Sequence, residues 1–135
     1  MRSLAREVAD LMEANGIGII NDAANRNLFV GELPYNEIDG IFLIPTQGPP
    51  PHQYVDTEYP IIDVWVRHPK TPLAWETMAK VQSTLHRRHH YQIGDWYVYF
   101  SQALGSIIDI DRDIEGGKLL RLSLQFICRN LNNVS

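Results

Sequence analysis

Asp109, Asp111 and Asp113 stand at i, i+2 and i+4, a spacing that sets three carboxylates on one face of a strand and also resembles the opening of a calcium loop. Such a loop needs glycine at its sixth position and glutamate at its twelfth; here those positions hold Ile114 and Leu120. His86, His89 and His90 form a second cluster, and His86 and His90 are spaced to chelate one ion from a helix. Two cations, Arg87 and Arg88, lie between them instead of the glutamate of a zinc protease, and cations disfavour a bound divalent ion. Cys128 is the only cysteine. It lies among apolar neighbours at strand spacing, where a thiol acts as a small hydrophobe rather than a nucleophile. Gly16-Ile17-Gly18 lacks the strand before and the helix after that would make it a phosphate loop. The aspartates therefore read as a solvated face or a polar interface and the histidines as a basic helix end, and neither catalysis nor a metal or cofactor is expected.

The elements that must position these residues follow from periodicity. Leu4, Val8, Leu11 and Met12 recur at helical spacing behind Ser3, and Asn15-Gly16 ends the pattern; a helix over residues 3–14 is predicted. Leu28-Phe29-Val30 is a short strand, and a second runs over 38–44, where Gly40 marks a bulge or a close approach. Residues 45–59 hold three consecutive prolines and no apolar period, which predicts a long loop. Residues 60–68 form a strand with Ile62, Val64 and Val66 on one face and Ile61, Asp63, Trp65 and Arg67 on the other. Thr71 as N-cap and Pro72 in the first turn open a second helix, with Ala74, Met78, Val81 and Leu85 as its buried stripe and Arg87 and Arg88 near its negative pole. Three strands follow Gly94: the aromatic run from Trp96, the alternating run 106–113, and 118–129, where Leu120, Leu122, Leu124, Phe126 and Cys128 alternate with polar residues.

The predicted order is α-β-β-β-α-β-β-β. It makes a single α+β domain over residues 1–135, a mostly antiparallel sheet of five or six strands with two helices on one face. A length of 135 residues with 44% hydrophobic residues suffices for a real core. The start of the chain is broken by charges and has no signal-peptide core, and no apolar run is long enough to span a bilayer; a soluble protein made in the cytosol is expected. A net charge of -4 argues against a dedicated nucleic-acid binder. The charge is uneven: residues 1–60 hold three basic and nine acidic side chains, and residues 61–135 hold nine and seven. That asymmetry suits a polar subunit whose two ends meet different partners, although solvated faces would produce it too.

Half of an alternating aromatic strand must face away from a single core layer. Trp65, Arg67, Trp96, Tyr97 and Tyr99 are therefore interface candidates, because Trp, Tyr and Arg dominate interface energetics. The alternative is that a helix or loop covers them. Tyr54 and Tyr59 are candidate anchors within the long loop. On this reading Arg67→Glu leaves the fold intact and impairs assembly.

The same order carries a resemblance. Leu28-Phe29-Val30-Gly31-Glu32-Leu33-Pro34, then Tyr59-Pro60-Ile61-Ile62-Asp63-Val64-Trp65-Val66-Arg67, then a helix and a polar hairpin running into a long strand over 105–129, resemble the small tail-terminator proteins of long-tailed phages, including those often labelled minor capsid proteins. The resemblance spans nearly the whole chain and departs at Leu124-Gln125, where a small polar residue and asparagine are expected before the aromatic. It implies a structural virion protein, a hexameric ring at the head-proximal end of the tail. Its implied partners are further copies of itself, the major tail tube protein and a head-completion protein. It implies no enzyme activity, no cofactor and no membrane. Another neck or head-tail adaptor protein is the main alternative, and a small ligand-binding domain a more distant one.

Overall fold

The computed structural model describes residues 3–31, 39–53, 55–112 and 118–131. Helix α1 (Leu4–Ala14) is followed by strands β1 (Leu28–Val30), β2 (Gly40–Thr46) and β3 (Ile61–His68), helix α2 (Thr71–Leu85), and strands β4 (Arg88–Ile93), β5 (Trp96–Ala103), β6 (Ile108–Arg112) and β7 (Lys118–Asn130). The strands join in one sheet in the order β1-β2-β3-β7-β5-β4, with β6 also paired to β7. All neighbours are antiparallel except β1 and β2, which run parallel. The α+β architecture is the one the sequence predicts, with β4 added to the predicted order.

The long strand β7 is the spine of the sheet. One of its edges pairs with β3, Ile62 opposite Leu124 and Val66 opposite Leu120. The other edge pairs with β5 and then β6, which follow one another along it with a break at residues 104–107. Alternation along β7 fixes the two faces. Leu120, Leu122, Leu124, Phe126 and Cys128 are fully buried, whereas their neighbours on the other parity are half-buried or exposed.

Both helices pack on the inner face. Leu4, Ala5, Val8, Ala9 and Met12 of α1 join Ala74, Met78, Val81 and Leu85 of α2 in one hydrophobic core with the inward residues of β2, β3, β5 and β7. Helix α1 touches β1, β2 and β4, strands at opposite ends of the sheet order. The sheet must therefore curl around it. Burial on this scale is the dominant favourable contribution to folding.

Local chemistry sets the element ends. Ser3 caps α1, its hydroxyl accepting the Arg6 amide at 3.2 Å. At α2 the N-cap is Lys70, not Thr71, and it has no side-chain cap. The Lys70 amide instead donates to His68 Nδ1 at 2.9 Å, and the resulting tight turn starts the helix one residue early. Helix α2 also stops at Leu85. Arg87, at φ 60, turns the chain into β4, so Arg87 and Arg88 lead into a strand and are not the last turn of a helix. Gly40 is a close approach: a Cβ there would lie 2.7 Å from the Asn27 carbonyl oxygen. Pro45 falls inside β2, yet β1 pairs only with Ile41, Phe42 and Leu43. At Pro45 the strand is an edge, where a missing N–H is tolerated.

Candidate assembly interface

The helix-free face of the sheet gathers most of the predicted candidates. On β3, Ile61, Asp63, Trp65 and Arg67 point outward, paired in register with Gln125, Ser123, Arg121 and Leu119 of β7. Asp63 accepts the Ser123 hydroxyl at 2.6 Å. Phe29 stacks on Phe42 with centroids 5.4 Å apart, the Arg67 guanidinium lies 5.9 Å from the Phe42 centroid, and that of Arg121 lies 5.6 Å from the Trp65 centroid. Aromatic rings and guanidinium planes thus alternate across β1, β2, β3 and β7.

Farther along the same face, a bulge in β5 alters the alternation. Val98 pairs with Cys128 and Phe100 with Ile127, so Tyr99 is the extra residue. Tyr97 and Phe100 consequently share the outer face on either side of Tyr99. His90, at φ 46, is the matching irregularity in β4. Tyr97 and Tyr99 meet edge to face at 5.1 Å, His89 lies 4.6 Å from Phe100, and His90 Nδ1 is 3.2 Å from the Tyr97 hydroxyl. Tyr97 pairs across the strands with exposed Arg129.

One candidate faces the core, and another is buried within the outer face. Trp96 is only 9% exposed and belongs to the core, because it falls on the same parity of β5 as Val98. Arg67 is 8% exposed. It packs against Phe42 within the outer face, so charge reversal at Arg67 is expected to cost fold stability and not assembly alone. Tyr59 is half-buried at the neck of the long loop, and Tyr54 lies outside the described residues. The sequence reading passed over Trp75, 38% exposed, and Leu73, 41% exposed, both on α2. Their signal was available, since both fall outside the stripe Ala74, Met78, Val81 and Leu85.

The long loop is narrower at its base than its length suggests. The Glu58 amide donates to the Cys128 carbonyl at 2.7 Å and its carbonyl accepts from Cys128 at 3.0 Å, while Phe126 donates to the Pro60 carbonyl at 2.9 Å. Pairing with β7 therefore continues beyond β3. A side chain at Gly48 would collide with the Tyr59 carbonyl, so glycine lets the two arms of the neck close. Within the loop, the His52 amide donates to the Thr57 carbonyl at 2.8 Å.

The three histidines of the predicted cluster are divided between a helix end and a strand. His86 closes α2, and its Nδ1 accepts the Ala103 amide at 2.9 Å; His89 and His90 lie on β4, not on a helix with it. Asp109 pairs with Lys118 at 2.8 Å, while Asp113 and the side chain of Asp111 lie outside the described residues. Among the described residues, no three His, Cys, Asp or Glu side chains are grouped to hold a metal. Burial pushes the Cys128 thiol up to about 12, far from a reactive thiolate. Clefts of about 190 Å³, lined by Ile17, Val66, His68, Thr77 and Lys80 among others, and of about 310 Å³, lined by Arg6, Ile20, Arg26 and Phe29 among others, lie below or at the bottom of the roughly 300–1,000 Å³ range of typical ligand sites. A modest excess of zinc or calcium is expected to leave the melting temperature unchanged. A one-to-one rise of many degrees would reveal a tight site.

What this geometry offers is a helix-free sheet face on which Trp65, Tyr97, Tyr99 and Phe100 are half-buried and Arg129 is exposed. The sequence matches the family of bacteriophage tail terminator proteins over residues 11–130. The chain belongs to that family. No curated protein is similar enough to count as a relative. The match begins inside α1 and ends at the last residue of β7, so it takes in the whole sheet and the long loop. Membership makes the chain a structural component of the phage tail.

Proposed function

We propose that the protein closes the head-proximal end of the tail tube as a ring of identical copies, six in number, and forms the joint to a head-completion protein. The family match over residues 11–130 carries this reading. A tube grows because each ring presents the surface its successor needs. A subunit that fits this surface on one side and differs on the other stops growth by shape, without catalysis. Each contact between ring neighbours is heterologous, so the rotation between them must close. The outer sheet face suits one side of such a contact, with Trp65, Tyr97 and Tyr99 half-exposed on it.

Electron microscopy of the purified protein and of labelled virions tests the reading. A six-fold ring at the head-proximal end of the tube is expected. A ring on the portal side would favour a head-tail adaptor, and a protein monomeric both alone and on tails would overturn the proposal.

A further inference from the structure

Two surface features of the subunit have complementary chemistry. The first is the loop above the Gly48 neck. Pro49, Pro50, Pro51, His52, Gln53 and Asp56 are exposed, and Val55 is 54% exposed, the highest value among the large hydrophobic residues described. Three prolines in a row hold φ near -65° and restrict the chain to extended geometry before it binds anything. Residues 47–59 contain Asp56 and Glu58 and neither lysine nor arginine. The second feature is the outer face of β4 and β5, where His89, His90, Tyr97, Tyr99 and Phe100 form a connected aromatic surface edged by Arg129. Strands β4 and β5 contain no acidic residue, and neither does β7.

Aromatic-lined surfaces bind extended proline segments because the ligand is ordered in advance and loses little entropy on docking. The one charged side chain of the proline segment is the carboxylate of Asp56 and the formal cation beside the aromatic surface is Arg129, a pair of opposite sign that can help set register. The loop does not satisfy this match within its own subunit, since its prolines and Val55 remain exposed. Resting on the ring reading above, we propose that residues 49–56 of one copy dock on the aromatic face of β4 and β5 of the next copy. Loop and face are different surfaces, so the contact is head-to-tail, as a closed ring requires.

Full-length Val55→Cys and His89→Cys variants, mixed and treated with a short bis-maleimide, test the proposal. Both positions are exposed, and buried Cys128 in the unmodified protein serves as the unreactive control. Ring formation is read independently by sedimentation and microscopy. The expected result is a ring together with a cross-linked dimer joining one copy of each variant. A ring without that bond, or with bonds only between two Val55→Cys copies, overturns the loop docking and leaves the ring reading standing. Absence of a ring under all conditions overturns both. Capture of duplex DNA that is lost on Arg129→Glu, in a ring that lacks the cross-link, would assign the face to nucleic acid instead.

Discussion

Arg67→Glu is expected to destabilise the folded subunit by about 3–5 kcal/mol, as a substitution that buries a carboxylate against an apolar ring does. Arg67 is 8% exposed, and its guanidinium lies over the ring of Phe42, itself 1% exposed. The cation favours the electron-rich face of the ring. A carboxylate there would meet the same face with the wrong sign, lose water it cannot replace, and leave space where the longer side chain packed. Single domains have total stabilities of about 5–15 kcal/mol, so a loss of this size should move the urea midpoint far down and unfold a measurable fraction without denaturant. Arg129→Glu is the matched comparison. It is exposed on the same face beside Tyr97, and its reversal should change stability by only about 0.5 kcal/mol while weakening assembly. Equal midpoints for the two variants would show Arg67 to be an ordinary surface charge.

Replacing residues 49–55 with a four-residue Gly-Ser link is expected to reduce ring formation and infectivity at least tenfold while leaving the melting temperature nearly unchanged. The neck is held by Gly48 against Tyr59 and by the Glu58 and Cys128 pair, all of which the replacement keeps. The residues removed include the exposed prolines and Val55, so little core burial is lost. Shortening a surface loop alters closure entropy by only about 0.6 kcal/mol per twofold change in length. Calorimetry and a tail-joining assay separate the two effects. A drop of many degrees would make the loop part of the core, and fully normal tails would make it dispensable.

Much of this architecture was legible in the residues because burial on one side leaves a period. The stripe Ala74, Met78, Val81 and Leu85 and the alternation from Leu120 to Cys128 are both buried as their spacing predicts. Strand β4 was not legible. Its Arg88-His89-His90 start has no apolar alternation because it lies at the sheet edge with its outer face in solvent, and only Tyr91 and Ile93 face the core. The bulge at Tyr99 was also hidden. It depends on pairing with Ile127 and Cys128, residues almost thirty positions away, and no local pattern encodes it. For the candidate surface, the sequence narrowed the choice to strand-borne aromatics. Only the register separated Trp96, which is inside, from Tyr97, which is outside. The exposed Trp75 shows the opposite case, where the helical stripe alone held the answer.

The position of β7 between β3 and β5 has a consequence for how the subunit is made. Every strand that pairs with it is synthesised before it. Until residues 118–130 leave the ribosome, β3 and β5 lack the strand that joins them, so the pairs β2 with β3 and β4 with β5 can form at most two separate pieces, each with an unpaired edge and marginal stability alone. At about 5–20 residues per second, that state lasts for seconds in a cell crowded with other copies of the same chain. Insertion of β7 joins the two pieces and closes both inner edges at once, so cooperative folding waits for that strand. The edges exposed meanwhile are the ones through which incomplete chains would associate wrongly.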